Sequence, residues 1–277
     1  MSNVDREVSR YGVLGQPVAH SKSPRIHAAF AESLGQKLLY EAYEIAPDEL
    51  GPSLTRFHGE GWQGFNLTLP HKTAAVSLCE SRTDAAEQAG AVNTLIRTAT
   101  GWQGDNTDGA GLVRDLVANL GVAIRGKRVL VLGAGGAARG ILAPLLAEAP
   151  AILAISNRNP WKPEEIAAAM KSLGNIVPRT HLSLKGDQFD VVLNATSAGH
   201  QGAVPRLPPG LFASGAIAYD LNYGPASEPF LAWAKAEGAS ILSDGLGMLV
   251  EQAAVAFQRW RGLRPETAAV LAGLRAG

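Results

Sequence analysis

With 277 residues the chain is long enough for two ordinary domains or one large one, and it needs neither disulfide nor metal to stabilise its core. An apolar fraction of 46% against 18% charged excludes a disordered chain, and 25 basic residues balanced by 25 acidic ones give no field that would draw nucleic acid or an anionic membrane. The single cysteine, Cys79, reads as a buried structural thiol in a reducing compartment, and the opening MSNVDREVSR, with its two acids and no apolar core, does not read as a secretory signal. A cytoplasmic protein is the expectation.

Short apolar runs alternate with helical patterns along the whole chain, which predicts an α/β fold in two domains. The first strand falls near residues 11–14 and a helix follows SKSP over 24–34. A strand at 39–45, a helix from 47, a strand at 64–67, helices at 72–79 and 83–89 and a strand at 91–97 complete the first unit. A second unit opens with a helix at Asp108, then a β-rich run at 128–132, a glycine turn and a helix over 135–147. Further strands are expected at 151–156, 176–178, 191–195 and 216–220; the run at 191–193 is continuously apolar, as in a strand covered on both faces. A long helix over 245–260 repeats Leu246, Leu249, Val250, Ala253, Ala254 and Phe257 at helical spacing.

The turn GAGGAA, Gly133 to Ala138, sits between an apolar strand and a helix, the context of a Rossmann-type dinucleotide site. Gly133 suits the tight turn, and Gly135 the close approach of backbone to a pyrophosphate favoured by free amides at the helix end. The next strand ends Ser156-Asn157-Arg158, without the acid that an NAD enzyme carries for the ribose hydroxyl. Arg158 offers instead a fork of donors for a 2′-phosphate, with Lys162 near in sequence, so NADP is the expected cofactor.

Ser23 before Pro24 reads as a helix N-cap, while Ser21 and Ser23 together read as hydroxyl donors for a carboxylate at a helix end; the residues alone leave both open. Lys72 after NLTLPH and Asp108 in GDNTDG can pair in a cleft, with Asp108 also an N-cap candidate. Asn66, Thr68, Asn93, Asn106 and Thr107 add short polar groups at element ends. His20, His27, His58 and His71 make no ligand pattern, so no metal is assigned, and no serine occupies a hydrolase elbow.

Taken together in order, SKSP (21–24), NLTLPHK (66–72), AGAVNT (89–94), GDNTDG (104–109), GAGGAAR (133–139), NRN (157–159), NATSAG (194–199), YDLNYGP (219–225) and DGLGMLVEQ (244–252) resemble the shikimate dehydrogenase family over nearly the whole chain. The resemblance implies a discontinuous substrate-binding domain, 1–106 plus 240–277, and a Rossmann-type NADP-binding domain, 107–239. It implies that Lys72 and Asp108 are catalytic and that Ser21, Ser23, Thr68, Asn93, Tyr223 and Gln252 bind substrate. Cofactor contacts are implied for Gly133, Ala134, Gly135, Gly136, Ala137, Asn157, Arg158, Lys162, Ala195, Thr196, Ser197, Leu221, Gly245 and Met248. The activity implied is reduction of 3-dehydroshikimate to shikimate with NADPH, in the pathway to aromatic amino acids; a monomer or homodimer is expected, and the balanced charge leads to no nucleic-acid or membrane partner. Ser23, where quinate-active members tend to carry threonine, favours shikimate; Asn159 and Lys162 depart from the common Thr and Arg. The alternatives are an NAD-preferring quinate/shikimate dehydrogenase and a noncatalytic NADP sensor on the same fold.

Overall fold

The computed structural model describes residues 8–276. Its contacts divide the chain into two units, Met1–Gly111 with Leu249–Gly277, and Leu112–Met248. Both crossings fall inside helices, later than the loop positions 106/107 and 239/240 suggested by the sequence.

The first unit is built on a six-stranded mixed sheet. Its elements are β1 (Ser9–Gly15), α1 (Ser23–Ser33), β2 (Leu38–Glu44), α2 (Leu50–Gly59), β3 (Gly64–Leu67), β4 (Ser81–Arg82), α3 (Asp84–Ala89), β5 (Thr94–Arg97), β6 (Trp102–Asp105) and α4 (Asp108–Arg114). The strand order is β2-β1-β3-β5-β6-β4, with β5 antiparallel to both β3 and β6. Two expectations are corrected here. Residues 72–79 do not form an α-helix: turns lead into a short 3-10 segment, Ala74–Leu78. Ser23 does not cap α1 but is its first residue, and the Ser21 hydroxyl accepts the Ser23 amide at 3.3 Å. By contrast Thr83 does cap α3, accepting the Ala86 amide, and Gly90 closes that helix in the left-handed conformation.

The second unit holds an all-parallel sheet of β7 (Arg128–Leu132), β8 (Ile152–Asn157), β9 (Ile176–Thr180), β10 (Phe189–Asn194), β11 (Phe212–Asp220) and β12 (Ile241–Ser243). Helices α5 (Gly136–Ala147), α6 (Trp161–Met170) and α7 (Glu228–Ala236) connect them. The order β12-β11-β10-β7-β8-β9 reverses direction at β7, the switch point of a doubly wound sheet. Both faces are covered: Val129 and Val131 pack in one cluster with Ile141 and Leu145, and Leu130 and Leu132 in another with Phe230 and Ala234. That burial explains why β7 and β10 carry continuous apolar runs, at 129–132 and 191–193. Ahead of β7, α4 gives way to a π-helical turn, Asp115–Asn119. The chain ends with α8 (Leu246–Arg261), which carries it back into the first unit, and α9 (Ala268–Ala276).

Candidate active site and dinucleotide site

In the first unit, polar residues from the turn after β3, the loop before β5, the start of α4 and the body of α8 meet in a buried cluster. Lys72 Nζ lies 2.5 Å from Asp108 Oδ2, with side chains 16% and 5% exposed. Asp108 opens α4 and is not its cap; the Asn106 side chain accepts the Asp108 amide at 3.1 Å, which leaves the carboxylate available. Its second oxygen accepts Asn93 Nδ2 at 2.9 Å. The same amide group reaches Thr107 Oγ1 (2.9 Å) and Gln252 Oε1 (3.2 Å), while Gln252 Nε2 donates to the Leu249 carbonyl within α8. Gly111 is required here, because a Cβ on it would lie 2.7 Å from the Gln252 backbone nitrogen.

Behind this cluster a hydrogen-bond chain runs in one direction. Tyr40 Oη donates to Asn66 Oδ1 (2.7 Å), Asn66 Nδ2 to Thr94 Oγ1 (3.1 Å), and Thr94 Oγ1 to Asn93 Oδ1 (2.9 Å). Asp108 is an acceptor only, so it fixes the Asn93 amide and, through it, the sense of every earlier bond. Burial pushes the Tyr40 phenol well above its ordinary range. Ser23 is buried beside Tyr40, and Ser21 and Thr68 are half-buried. Tyr223 belongs to the second unit, on the segment after β11.

In the second unit the register brings Leu132, Ser156, Asn194 and Asp220 level at the carboxyl ends of β7, β8, β10 and β11. Gly133 follows with φ +110°, and a Cβ there would lie 2.9 Å from the Ala195 carbonyl oxygen. Only glycine meets both constraints. Gly135 is extended, no side chain caps α5, and the space beside the Gly135 Cα is open. These are the properties a pyrophosphate needs: a close backbone and free amides at the positive end of a 12-residue helix. Ala134 is buried behind the turn, with Gly136 and Ala137 half-buried in the first turn of α5.

Asn157, at the end of β8, accepts the Arg158 amide through its side chain, and Arg158 and Lys162 are both exposed. Asn159 has a structural task, its Oδ1 accepting the Trp161 amide at 3.1 Å as α6 begins. No acid stands at the end of β8. Ala195, Thr196 and Leu221 are half-buried and Ser197 exposed; Gly245 donates its amide to the Asn222 carbonyl and leaves no room for a Cβ against Leu221. Met248 donates its amide to Tyr219 Oη (3.2 Å), which donates to buried Asp115 (2.7 Å). Nothing in the sequence marks a role for Tyr40, Thr94, Asn194, Asp115 or Asp220. Among the described residues no group of three His, Cys, Asp or Glu is arranged to hold a metal, and no helix is long and apolar enough to cross a membrane.

A doubly wound parallel sheet with an open glycine turn after its first strand is the architecture of a nucleotide-dependent dehydrogenase. Comparison with known proteins makes the assignment specific. Residues 13–95 match the shikimate dehydrogenase substrate binding domain, 115–203 the shikimate/quinate 5-dehydrogenase model, and 245–275 the shikimate 5′-dehydrogenase C-terminal domain. The chain is 50% identical over 265 residues to the protein named shikimate dehydrogenase (NADP+) of Nitrosospira multiformis, covering 96% of each. It is 52% identical to the protein of that name from Dechloromonas aromatica, covering 96% of this chain and 97% of the other. The crystal structure of shikimate 5-dehydrogenase from Thermus thermophilus, in complex with NADP(H) and shikimate, superposes with a TM-score of 0.84 at 36% identity, covering 97% of this chain and 99% of that one. The chain belongs to the shikimate dehydrogenase family.

Proposed function

We propose that this protein is an NADP-dependent oxidoreductase that interconverts 3-dehydroshikimate and shikimate, as the names of its relatives indicate for those proteins. The observation that carries the reading is the Lys72–Asp108 pair, held at 2.5 Å among buried amides and hydroxyls that match a polyhydroxylated ring. When bound, NADPH supplies the hydride for the C3 ketone. Lys72 then delivers a proton to the ring oxygen as negative charge builds on it, and in the reverse direction its neutral amine takes the hydroxyl proton. Asp108 orients Lys72 and accepts from a ring hydroxyl, while Asn93, Thr68 and Gln252 bond the remaining hydroxyls. Ser21 and Ser23, at the start of α1, hold the substrate carboxylate.

In this reading the unit ending at Gly111 and resuming at Leu249 binds substrate, and Leu112–Met248 binds NADP. Gly133, Ala134, Gly135, Gly136 and Ala137 cradle the pyrophosphate, and Asn157, Arg158 and Lys162 take the adenosine ribose with its 2′-phosphate. Ala195, Thr196, Ser197, Leu221, Gly245 and Met248 lie along the rest of the cofactor. The protein works in the cytoplasm, as a monomer or homodimer. Initial rates of shikimate and quinate oxidation with NADP+ and NAD+ test all of this at once. Shikimate with NADP+ is the preferred combination; preference for quinate or NAD+ overturns the substrate or the cofactor, and no turnover with any combination overturns the enzyme.

A further inference from the structure

Asp220 is fully buried at the end of β11, yet it takes no part in the proton transfer proposed above. Its Oδ1 accepts the Asn222 amide and Asn222 Nδ2, each at 2.8 Å, and its Oδ2 accepts Asn194 Nδ2 at 2.8 Å. Asn194, itself 1% exposed, uses its own Oδ1 to accept both the amide and the hydroxyl of Thr196, at 3.2 and 2.7 Å. Asn222 Nδ2 also donates to the Thr196 carbonyl (3.1 Å), the Leu221 amide donates to the Asn194 carbonyl, and the Gly245 amide donates to the Asn222 carbonyl. The segments that follow β10 and β11 are therefore tied to one carboxylate.

We infer that Asp220 is a positioning residue for the dinucleotide site: through Asn194 and Asn222 it fixes Thr196, Leu221 and Gly245 in the arrangement that receives the cofactor. The inference rests on the NADP reading of this unit. The polarity of the array cannot be reversed locally. The Thr196 amide is a donor only, so Asn194 must present its oxygen to Thr196 and its NH2 to residue 220, which must then be an acceptor. The Asn222 amide demands a second acceptor from the same side chain. A carboxylate meets both demands; an amide meets one and sets NH2 against NH2 at the other. Burial raises the Asp220 carboxyl to about 6, with the asparagine donors and His200 opposing that rise, so it is mostly ionised at neutral pH and able to serve as this double acceptor.

The fixed donors and acceptors of this array predict a reciprocal rescue. Asp220→Asn alone breaks the array, whereas Asn194→Asp with Asp220→Asn restores it. The carboxylate now at position 194 accepts from Thr196 and from the new amide at position 220, whose oxygen still accepts from Asn222. Titration calorimetry on the full chain with NADP+ and with NAD+ reads the outcome, alongside the melting temperature and the Michaelis constant for shikimate. Asp220→Asn is expected to weaken both dinucleotides together by about ten- to a hundredfold, the range for an unsatisfied buried group, with the shikimate constant unchanged. The double variant should return to within about threefold of wild type. If Asp220→Asn does not fold, Asn222→Ala, which removes only the half-buried amide side chain, should still weaken binding several-fold. Wild-type affinity in Asp220→Asn or Asn222→Ala, or a folded double variant no better than the single, overturns the inference. Wild-type protein that binds neither dinucleotide overturns the NADP reading instead.

Discussion

Replacing Lys72 by methionine keeps the stem's bulk and removes the ammonium, which separates two costs that the structure lets one size independently. The first is stability. Asp108 is 5% exposed and loses the partner 2.5 Å away, but it keeps Asn93 Nδ2, and the 16% exposure of Lys72 lets water approach the vacated place. The cost is then that of a partly compensated buried acceptor, about 1 to 3 kcal/mol, and not the larger penalty of an isolated buried charge. For a chain of this size that is a fall in melting temperature of several degrees at most. The second cost is catalytic, about 10² to 10⁴-fold in turnover for the loss of an acid-base group. Steady-state kinetics of shikimate oxidation near room temperature, well below the transition, reads it on folded protein. The double variant Lys72→Met with Asp108→Asn should regain most of the stability and none of the turnover, since it removes the orphaned charge but not the defect. A single variant that keeps more than about a tenth of wild-type turnover, below the acid-base range, refutes the role given to Lys72.

Three further substitutions test other parts of the protein. Arg158→Ala should raise the Michaelis constant for NADP+ by about ten- to a hundredfold, the worth of one charge-assisted contact, and leave NAD+ use unchanged; equal losses with both would remove the 2′-phosphate role. Ser23→Ala should weaken shikimate binding with only a small fall in melting, about 1 kcal/mol for the lost contact with Tyr40 and nothing for a cap that Ser23 does not form; a lower melting temperature with an unaltered Michaelis constant would make the serine structural. His27, buried and stacked on Tyr40 at 4.2 Å, has its imidazole pushed down from 6.5 to about 3, chiefly by burial. The unfolded chain takes up this proton below about pH 6.5 and the folded chain does not, so the contribution is intact above that pH and is lost as pH falls towards 3. At about pH 5 the loss is about 2 kcal/mol relative to about pH 8. Urea unfolding of wild type and His27→Phe at both values isolates it, and an identical difference at the two values would contradict it.

The parallel sheet is the most legible part of the chain. β7 and the start of α5 can be read because a strand buried on both faces must be apolar throughout, and because the turn after it accepts only glycine. The short strands β4, β6 and β12 leave no such signature, since two to four residues carrying Ser, Arg, Gln and Asp show neither alternation nor an apolar run. Ser23 and Asp108 each read as N-caps from their positions before a helix. In the structure Ser21 and Asn106, two residues earlier in each case, take the amides, and the helices start on the residues that sequence places outside them. The residues alone allow Lys72 and Asp108 to pair but do not require it, since nothing local links positions 36 apart, and their catalytic role follows from the resemblance. The Tyr40 chain and the Asp220 array are invisible for the same reason: each member is an ordinary polar residue in sequence, and only the fold brings partners from separate strands and loops together.

Cys79 has a use that follows from its solitude. The thiol lies under β6, where a Cβ on Gly104 would sit 2.9 Å from its sulfur, and it donates to the Ala75 carbonyl. Burial pushes it up to about 11, against a smaller opposing pull from Arg82. Reagents that attack the thiolate are therefore refused twice in the folded protein, by lack of access and by lack of ionisation, and both refusals lapse when the surrounding packing opens. Because the chain has one cysteine, and it lies in the unit carrying Lys72 and Asp108, the labelling rate is a clock for the opening of that unit alone. Shikimate should slow the clock in proportion to its occupancy of that unit, giving a measure of substrate binding that needs neither cofactor nor turnover.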